Sequence, residues 1–219
     1  MSLVSGHPLA LGPLSSDRFI LDPKTFSFFL SRYKFAGKML SRCRRIADIG
    51  CGDGTGDVML LKETNANILA YDLDKEQIDY ANKTLLPVLH KVIPHDANRL
   101  AVEYLDFTID GPLCPSVDGL VSLDVIEHIS PDDEDIFLRY CIDSLEDKGV
   151  CIIGTPNDYA SDYASKFSKA GHINMFTPNR LENTMASYFS RVFMFSMNDE
   201  VVHTGFSKMA HYLIAMGIK

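Results

Sequence analysis

Between Ile46 and Gly56 the chain reads Ile-Ala-Asp-Ile-Gly-Cys-Gly-Asp-Gly-Thr-Gly, with glycine at every second position from Gly50. Alternate glycines permit positive φ angles and let a ligand lie against bare backbone, where a Cβ would collide with it. The apolar run before them reads as a strand and the residues after them as a helix, and Asp72 ends the next strand about twenty positions later. A carboxylate there can accept both hydroxyl hydrogens of a ribose, so the pattern fits a nucleoside-bearing cofactor. The spacing Gly50-x-Gly52-x-Gly54 differs from the G-x-G-x-x-G that cradles a pyrophosphate.

A second group of reactive side chains comes later, in Asp124-Val-Ile-Glu127-His128 and in Gly171-His172-Ile-Asn-Met-Phe176. Two carboxylates and two imidazoles brought together would suit a divalent cation. Oxygen and nitrogen donors without thiolate favour Mg²⁺, Mn²⁺, Fe²⁺ or Zn²⁺ in open, partly hydrated coordination. The competing reading gives Glu127-His128 a packing or substrate-contact role with no metal. Asn198–Gly205 is a further polar loop, in which His203 is either a substrate contact, an alternative base or an ordinary loop histidine. His211 lies in an apolar run and reads as a packed histidine.

These residues need a scaffold that alternates strands and helices. Strands are expected at Arg45–Ile49, Ile68–Tyr71, His90–Ile93, Gly119–Ser122, Val150–Gly154, Arg191–Ser196 and Ala210–Met216. Helices are expected from Asp22-Pro23 towards Leu40, and at Thr55–Lys62, Lys75–Leu85, Pro131–Leu145 and Pro178–Phe189, with a further piece near Asp158–Phe167. Residues 1–21, with Gly6, Pro8, Gly12 and Pro13, read as an irregular lead-in to a single domain spanning 1–219. Ser130-Pro131 followed by acids is a helix start, which accounts for the densest acidic run. The pattern predicts an α/β fold, a doubly wound, mostly parallel sheet of seven strands with helices on both faces, whose ligands bind beyond the C-terminal strand ends.

Composition narrows the function classes. The 219 residues carry 29 Asp and Glu against 21 Lys and Arg, a net charge of −8 that disfavours a large autonomous nucleic-acid surface. The basic stretch from Arg32 to Arg45 reads as a solvated helix face. No apolar run approaches a membrane span, and no secretory signal is evident. Five cysteines, Cys43, Cys51, Cys114, Cys141 and Cys151, never form a C-x-x-C pair, which argues against a disulfide framework or a thiolate zinc site and fits a cytoplasmic location.

Four segments together resemble the class I S-adenosylmethionine-dependent methyltransferases: Asp48–Gly54, Tyr71-Asp72-Leu73, His95-Asp96-Ala97 and Asp118–His128. The resemblance implies a Rossmann-like fold and S-adenosylmethionine as cofactor. It implies that Gly50, Cys51 and Gly52 line the methionine and ribose portion and that Asp48 supports the turn. By the same likeness Asp72 holds the ribose hydroxyls and Leu73 flanks the adenine. Asp96 takes the adenine amino group with Ala97 beside it, and the Leu123 carbonyl meets the cofactor's amino group. Around Asp124, Glu127, His128 and His172 the chain is similar to the metal site of small-RNA 2′-O-methyltransferases and, near Glu-His, to ubiquinone-pathway O-methyltransferases. Asp124 stands where those families usually carry Glu, so Glu127, His128 and His172 are the better ligands.

A sulfonium is already an activated methyl donor, so the protein has to align acceptor, methyl and sulfur and supply a nearly deprotonated oxygen. A metal would lower the acceptor's pKa; without one, His128 or His172 could accept the proton. The expected activity is O-methylation of a small-molecule or carbohydrate-like hydroxyl. Ribose of RNA, a quinone-type phenol, and a non-catalytic cofactor-binding subunit are the alternatives.

Overall fold

The computed structural model describes residues 6–105, 111–163 and 171–219, and the chain divides into two units, Met1–Asp106 and Phe107–Lys219. The first unit carries three parallel strands, β1 (Arg45–Ile49), β2 (Asn67–Asp72) and β3 (Leu100–Tyr104), in the spatial order β3-β2-β1. Ile46 pairs with Ile68 and Ile68 with Leu100, so Ile49, Asp72 and Tyr104 all lie at the C-terminal edge of this sheet.

Helices α1 (Pro13–Leu21), α2 (Pro23–Met39) and α3 (Thr55–Glu63) accompany these strands. Asp22 caps α2 by accepting from the Lys24 backbone N–H, and Pro23 takes the first helical position, where a missing N–H costs nothing. The lead-in expected to be irregular is helical from Pro13. Gly12-Pro13 is an N-cap and N1 pair, and so starts a helix.

The largest departure lies between β2 and β3. Helix α4 (Lys75–Tyr80) continues through a π turn at Ala81–Leu85 into α5 (Leu86–Val92), followed by the short α6 (Pro94–Ala97). The expected strand His90–Ile93 is therefore the end of a helix. Val92 and Ile93 are β-branched, and Pro87 lies in the first turn of α5. The wider π turn just ahead of Pro87 relieves the clash between its ring and the preceding turn, so the helix passes through.

The second unit contains β4 (Val117–Leu123), β5 (Leu145–Pro156), β6 (Arg191–Asn198), β7 (Val201–His203) and β8 (Tyr212–Ile218), in the spatial order β4-β5-β8-β6-β7. β4 and β5 are parallel; β8 runs antiparallel to both β5 and β6, and β7 closes a hairpin on β6. Helix α7 (Glu134–Asp143) links β4 to β5, and α8 (Pro178–Ala186), capped by Thr177, precedes β6. Ile152, Ile153, Leu213 and Ile214 have no exposed surface, and burying side chains of this size contributes about 1.5–3 kcal/mol each.

The fold is thus the expected α/β class, a mostly parallel sheet flanked by helices, with eight strands in place of seven. One expected strand is lost to α5, and β3 and β7 are gained. Asp158–Tyr163 forms a 3-10 turn; the remainder of the helical piece expected near Asp158–Phe167 lies outside the described residues.

Candidate functional site

The glycine turn has the backbone its spacing requires. Gly50, Gly52 and Gly54 sit at φ of 88°, 58° and 78°, a region costly for other residues. The Gly50 and Cys51 N–H groups both donate to the Tyr71 carbonyl, at 2.7 and 3.0 Å, which pins the turn to the end of β2. The Cys51 side chain points inward and is buried, and burial pushes its thiol well above the ordinary value. It is therefore the backbone around Cys51, and not its thiol, that is available to a ligand.

Asp72 ends β2 beside this turn. Its Oδ2 accepts from the Gly52 N–H at 2.7 Å and its Oδ1 from the Asp74 N–H at 2.8 Å. Each carboxylate oxygen has a second acceptor position, so the same group that locks the turn can also accept two ribose hydroxyls. Leu73, half exposed, follows directly. The three positive-φ glycines and the paired oxygens of Asp72 fit a nucleoside-bearing group.

Asp48 lies beneath the turn, fully buried, with Asp57 of α3 and Tyr33 of α2 as neighbours. Burial raises the carboxyl of Asp48 to about 7, against lowering contributions from hydrogen bonds with Tyr33 and Asp57. Asp57 is raised well above the ordinary value, first by burial and then by the charge of Asp48. Two buried carboxyls can hydrogen-bond each other only if one carries a proton. The resemblance singled out Asp48 and not its partner Asp57.

Asp96 is displaced from its expected position. It belongs to α6, ahead of β3, and so lies at the N-terminal edge of the strands, opposite Asp72. Its carboxylate pairs with Lys62 at 2.6 Å and Arg99 at 3.1 Å, and hydrogen bonds from these two hold it down at about 2. Ala97 beside it is buried. The third strand begins ten residues later than the pattern indicated, which leaves both residues ahead of it. Leu105 occupies the position just past β3, with its N–H donating to the Asp72 carbonyl at 2.9 Å.

In the second unit, Glu127 and His128 lie on a 3-10 turn, Ile126–His128, just past β4. The Glu127 carbonyl accepts from both the Ile173 and Asn174 N–H groups, at 2.9 and 3.0 Å, and this bifurcated bond brings His172 to the pair. The ring centroids of His128 and His172 are 5.0 Å apart and edge to face. One ligand atom from each of Glu127, His128 and His172 lies within 4.8 Å of the others.

Each member of the group is oriented. Glu127 has no exposed surface, and its Oε2 accepts from the Thr155 hydroxyl at 3.1 Å. His128 Nδ1 is 2.8 Å from the Gly171 carbonyl, which can only accept, so Nδ1 carries the proton and Nε2 presents its lone pair when the ring is neutral. Burial lowers His172 below 6.5, the charge of His128 lowers it further, and Asp124 opposes both, so the ring is neutral at pH 7. Asn174 donates to Glu134 at 2.8 Å, and Arg180 pairs with the same carboxylate while lying over the Phe176 ring at 3.9 Å. This network fixes the segment that carries His172. Thr155 and Asn174 were not foreseen as partners.

Asp124 does not join the ligand group. It takes a left-handed backbone at φ 59°, which Asp tolerates better than most residues, and its N–H donates to the Gly154 carbonyl at 3.0 Å and the Tyr212 hydroxyl at 3.2 Å. Leu123, one residue earlier, ends β4 and is buried. Both ring nitrogens of His203 have partners close in sequence. Its Nδ1 accepts from the Gly205 N–H at 3.2 Å, so Nε2 carries the proton and donates to Asn198 Oδ1 at 2.9 Å. Both nitrogens serve the β6–β7 hairpin.

A family model described as a methyltransferase domain matches residues 47–151. Sphingolipid C9-methyltransferase of Candida albicans is 29% identical over 115 residues, which cover 52% of this chain and only 22% of that protein. Among solved structures, the methyltransferase domain of bacterial CtHen1-C superposes with a TM-score of 0.69 at 14% identity, covering 86% of this chain and 97% of that one. A SAM-dependent methyltransferase from Archaeoglobus fulgidus gives 0.63 at 17% identity over 94% and 98%. An O-methyltransferase family protein from Burkholderia thailandensis gives 0.62 at 16% over 94% and 62%. These solved structures share the fold with this chain.

Proposed function

As the chain belongs to the class I S-adenosylmethionine-dependent methyltransferases, we propose that it methylates a hydroxyl oxygen of a small-molecule or carbohydrate-like acceptor, assisted by a divalent metal. The observation that carries this reading is the convergence of Glu127, His128 and His172 at the C-terminal end of β4. Strand ends of this kind are where ligands bind in open α/β sheets.

In this reading the first unit holds the cofactor. The backbone of Gly50, Cys51 and Gly52 lines it, Asp72 accepts the ribose hydroxyls and Leu73 flanks the base. The cofactor supplies a methyl group on a positively charged sulfur. Transfer forms a carbon–oxygen bond and breaks the carbon–sulfur bond, leaving a neutral thioether, and the acceptor's proton must go to the protein or solvent.

Without the metal, the imidazole of His172 or of His128 takes that proton, and Glu127 holds the acceptor side in place. These three residues would also hold a metal through one carboxylate oxygen and two imidazole nitrogens, a donor set suited to Mn²⁺, Fe²⁺ or Zn²⁺ and, with added water, Mg²⁺. When bound, the metal supplies Lewis acidity that lowers the acceptor's pKa.

The test is metal content and turnover in parallel. Protein purified without chelator should hold close to one equivalent of a divalent ion, and Glu127→Gln should lose it while still binding the demethylated cofactor. Full methyl transfer to hydroxyl acceptors in excess chelator would remove the metal from this reading.

A further inference from the structure

We propose that the segment 10–16 forms a wall of the cofactor site and that Asp53 is the positioning residue that holds it there, a proposal that rests on the cofactor reading above. Asp53 sits inside the glycine turn, between Gly52 and Gly54, yet it is only 2% exposed. A carboxylate between two glycines of a ligand-binding turn would ordinarily face solvent, so its burial calls for partners. It has three. Oδ2 accepts from the Ser15 N–H at 2.8 Å, and Oδ1 accepts from the Ser15 hydroxyl at 2.9 Å and from the Thr55 N–H at 3.2 Å.

These donors lie in the first turns of two different helices, α1 and α3. The N-cap residues of both are glycines, Gly12 and Gly54, which have no side chain to accept the orphan N–H groups. Asp53 therefore caps α3 from within its own turn and α1 from 38 residues away, and its charge favours both helix N-termini. This gives one carboxylate control over two elements, the glycine turn and the segment lying on it.

The close packing around this carboxylate has the same meaning. A Cβ at Gly12 would lie 2.4 Å from Asp53, so only glycine lets the segment approach. A methyl of Leu14 lies 2.9 Å from where a Cβ of Gly52 would be, which puts the α1 segment directly on the turn residue that bonds Asp72. The Tyr80 hydroxyl donates to the Ala10 carbonyl and secures the segment's start. Ser15 is the buried residue of α1, although its sequence is mostly apolar.

A wall fastened in this way would retain a ligand seated on the turn and exclude water from it. Release of the cofactor then requires the Asp53 bonds to open or the ligand to slide past them.

The experiment measures binding and dissociation of S-adenosylhomocysteine by the full chain in stopped flow, with limited proteolysis of the segment 6–21 alongside. Asp53→Ala should raise the dissociation rate about tenfold, the scale expected for losing hydrogen bonds to a charged acceptor. Asp53→Asn, which keeps an oxygen acceptor, should recover much of the loss. Ser15→Ala and Tyr80→Phe leave the glycine turn intact and should each raise the rate a few-fold, so they carry the test if Asp53→Ala does not fold. Saturating S-adenosylhomocysteine should protect the segment from protease in the wild type and much less in Asp53→Ala.

Wild-type dissociation rates in Ser15→Ala and Tyr80→Phe, together with cleavage of the segment that ligand does not slow, would overturn the proposal. A wild-type protein that does not bind S-adenosylhomocysteine would overturn the cofactor reading and this proposal with it.

Discussion

Replacing Asp57 by asparagine should make the protein more stable, and increasingly so as pH rises. Asp48 and Asp57 are both fully buried, and the charged groups that bear on them are themselves acids: Asp53 and Asp72 add negative potential, Cys51 joins them only if ionised, and Tyr33 hydrogen-bonds Asp48. Burial is the largest cause of the rise in each. A carboxyl raised in the folded state keeps a proton that the unfolded chain has already released. The folded form then binds more protons, so stability falls as pH climbs above the ordinary value of 3.8, and for Asp48 the fall levels off near 7.

At about 1.4 kcal/mol per pH unit, the interval from 3.8 to about 7 sets a ceiling of about 4 kcal/mol for that one group. In Asp57→Asn, an amide N–H can donate to Asp48, and the shared proton is no longer needed. Urea unfolding followed by circular dichroism at pH 5, 6, 7 and 8 should give the smallest difference at pH 5. It should grow by about 1 kcal/mol or more by pH 8. A variant that is less stable than the wild type by the same amount at every pH would refute the shared-proton argument.

Two further outcomes follow from the first unit. Asp72→Ala should weaken S-adenosylhomocysteine by about tenfold or more in isothermal titration, because the ribose acceptor and the lock on the Gly52 N–H are lost together; unchanged affinity would rule out the assignment. Asp96→Ala should leave that affinity within about twofold of wild type while releasing Lys62 and Arg99, which thermal unfolding would register as a modest loss; a large loss of affinity would return Asp96 to the cofactor.

The glycine turn, Asp72 and the Glu127-His128 pair were legible because each depends on residues close in sequence. Strand alternation, positive-φ glycines and a strand-end carboxylate are all local signals. The third strand was not, because Val92 and Ile93 are β-branched residues at the end of a stretch that is helical. Nothing local announces that a π turn carries a helix through Pro87. Misplacing that strand by ten residues moved Asp96 to the wrong end of the sheet in the reading. Helix α1 was hidden for another reason: its cap, Asp53, comes from 38 residues away. In the second unit, His172 was legible as a candidate, but the backbone bond from Ile173 and Asn174 to the Glu127 carbonyl that places it was not.

The strand order of the second unit also constrains how the polypeptide matures. β8 lies between β5 and β6, so the β6–β7 hairpin has no sheet to join until residues 212–218 exist. The ladder between Val150 and Ile218 closes a long loop, an entropic cost that is met late. The three strands of the first unit need nothing beyond Leu105 to pair. During synthesis, then, the glycine turn can form while the histidine-bearing unit is still an open edge at β5, exposed to mispairing until β8 arrives.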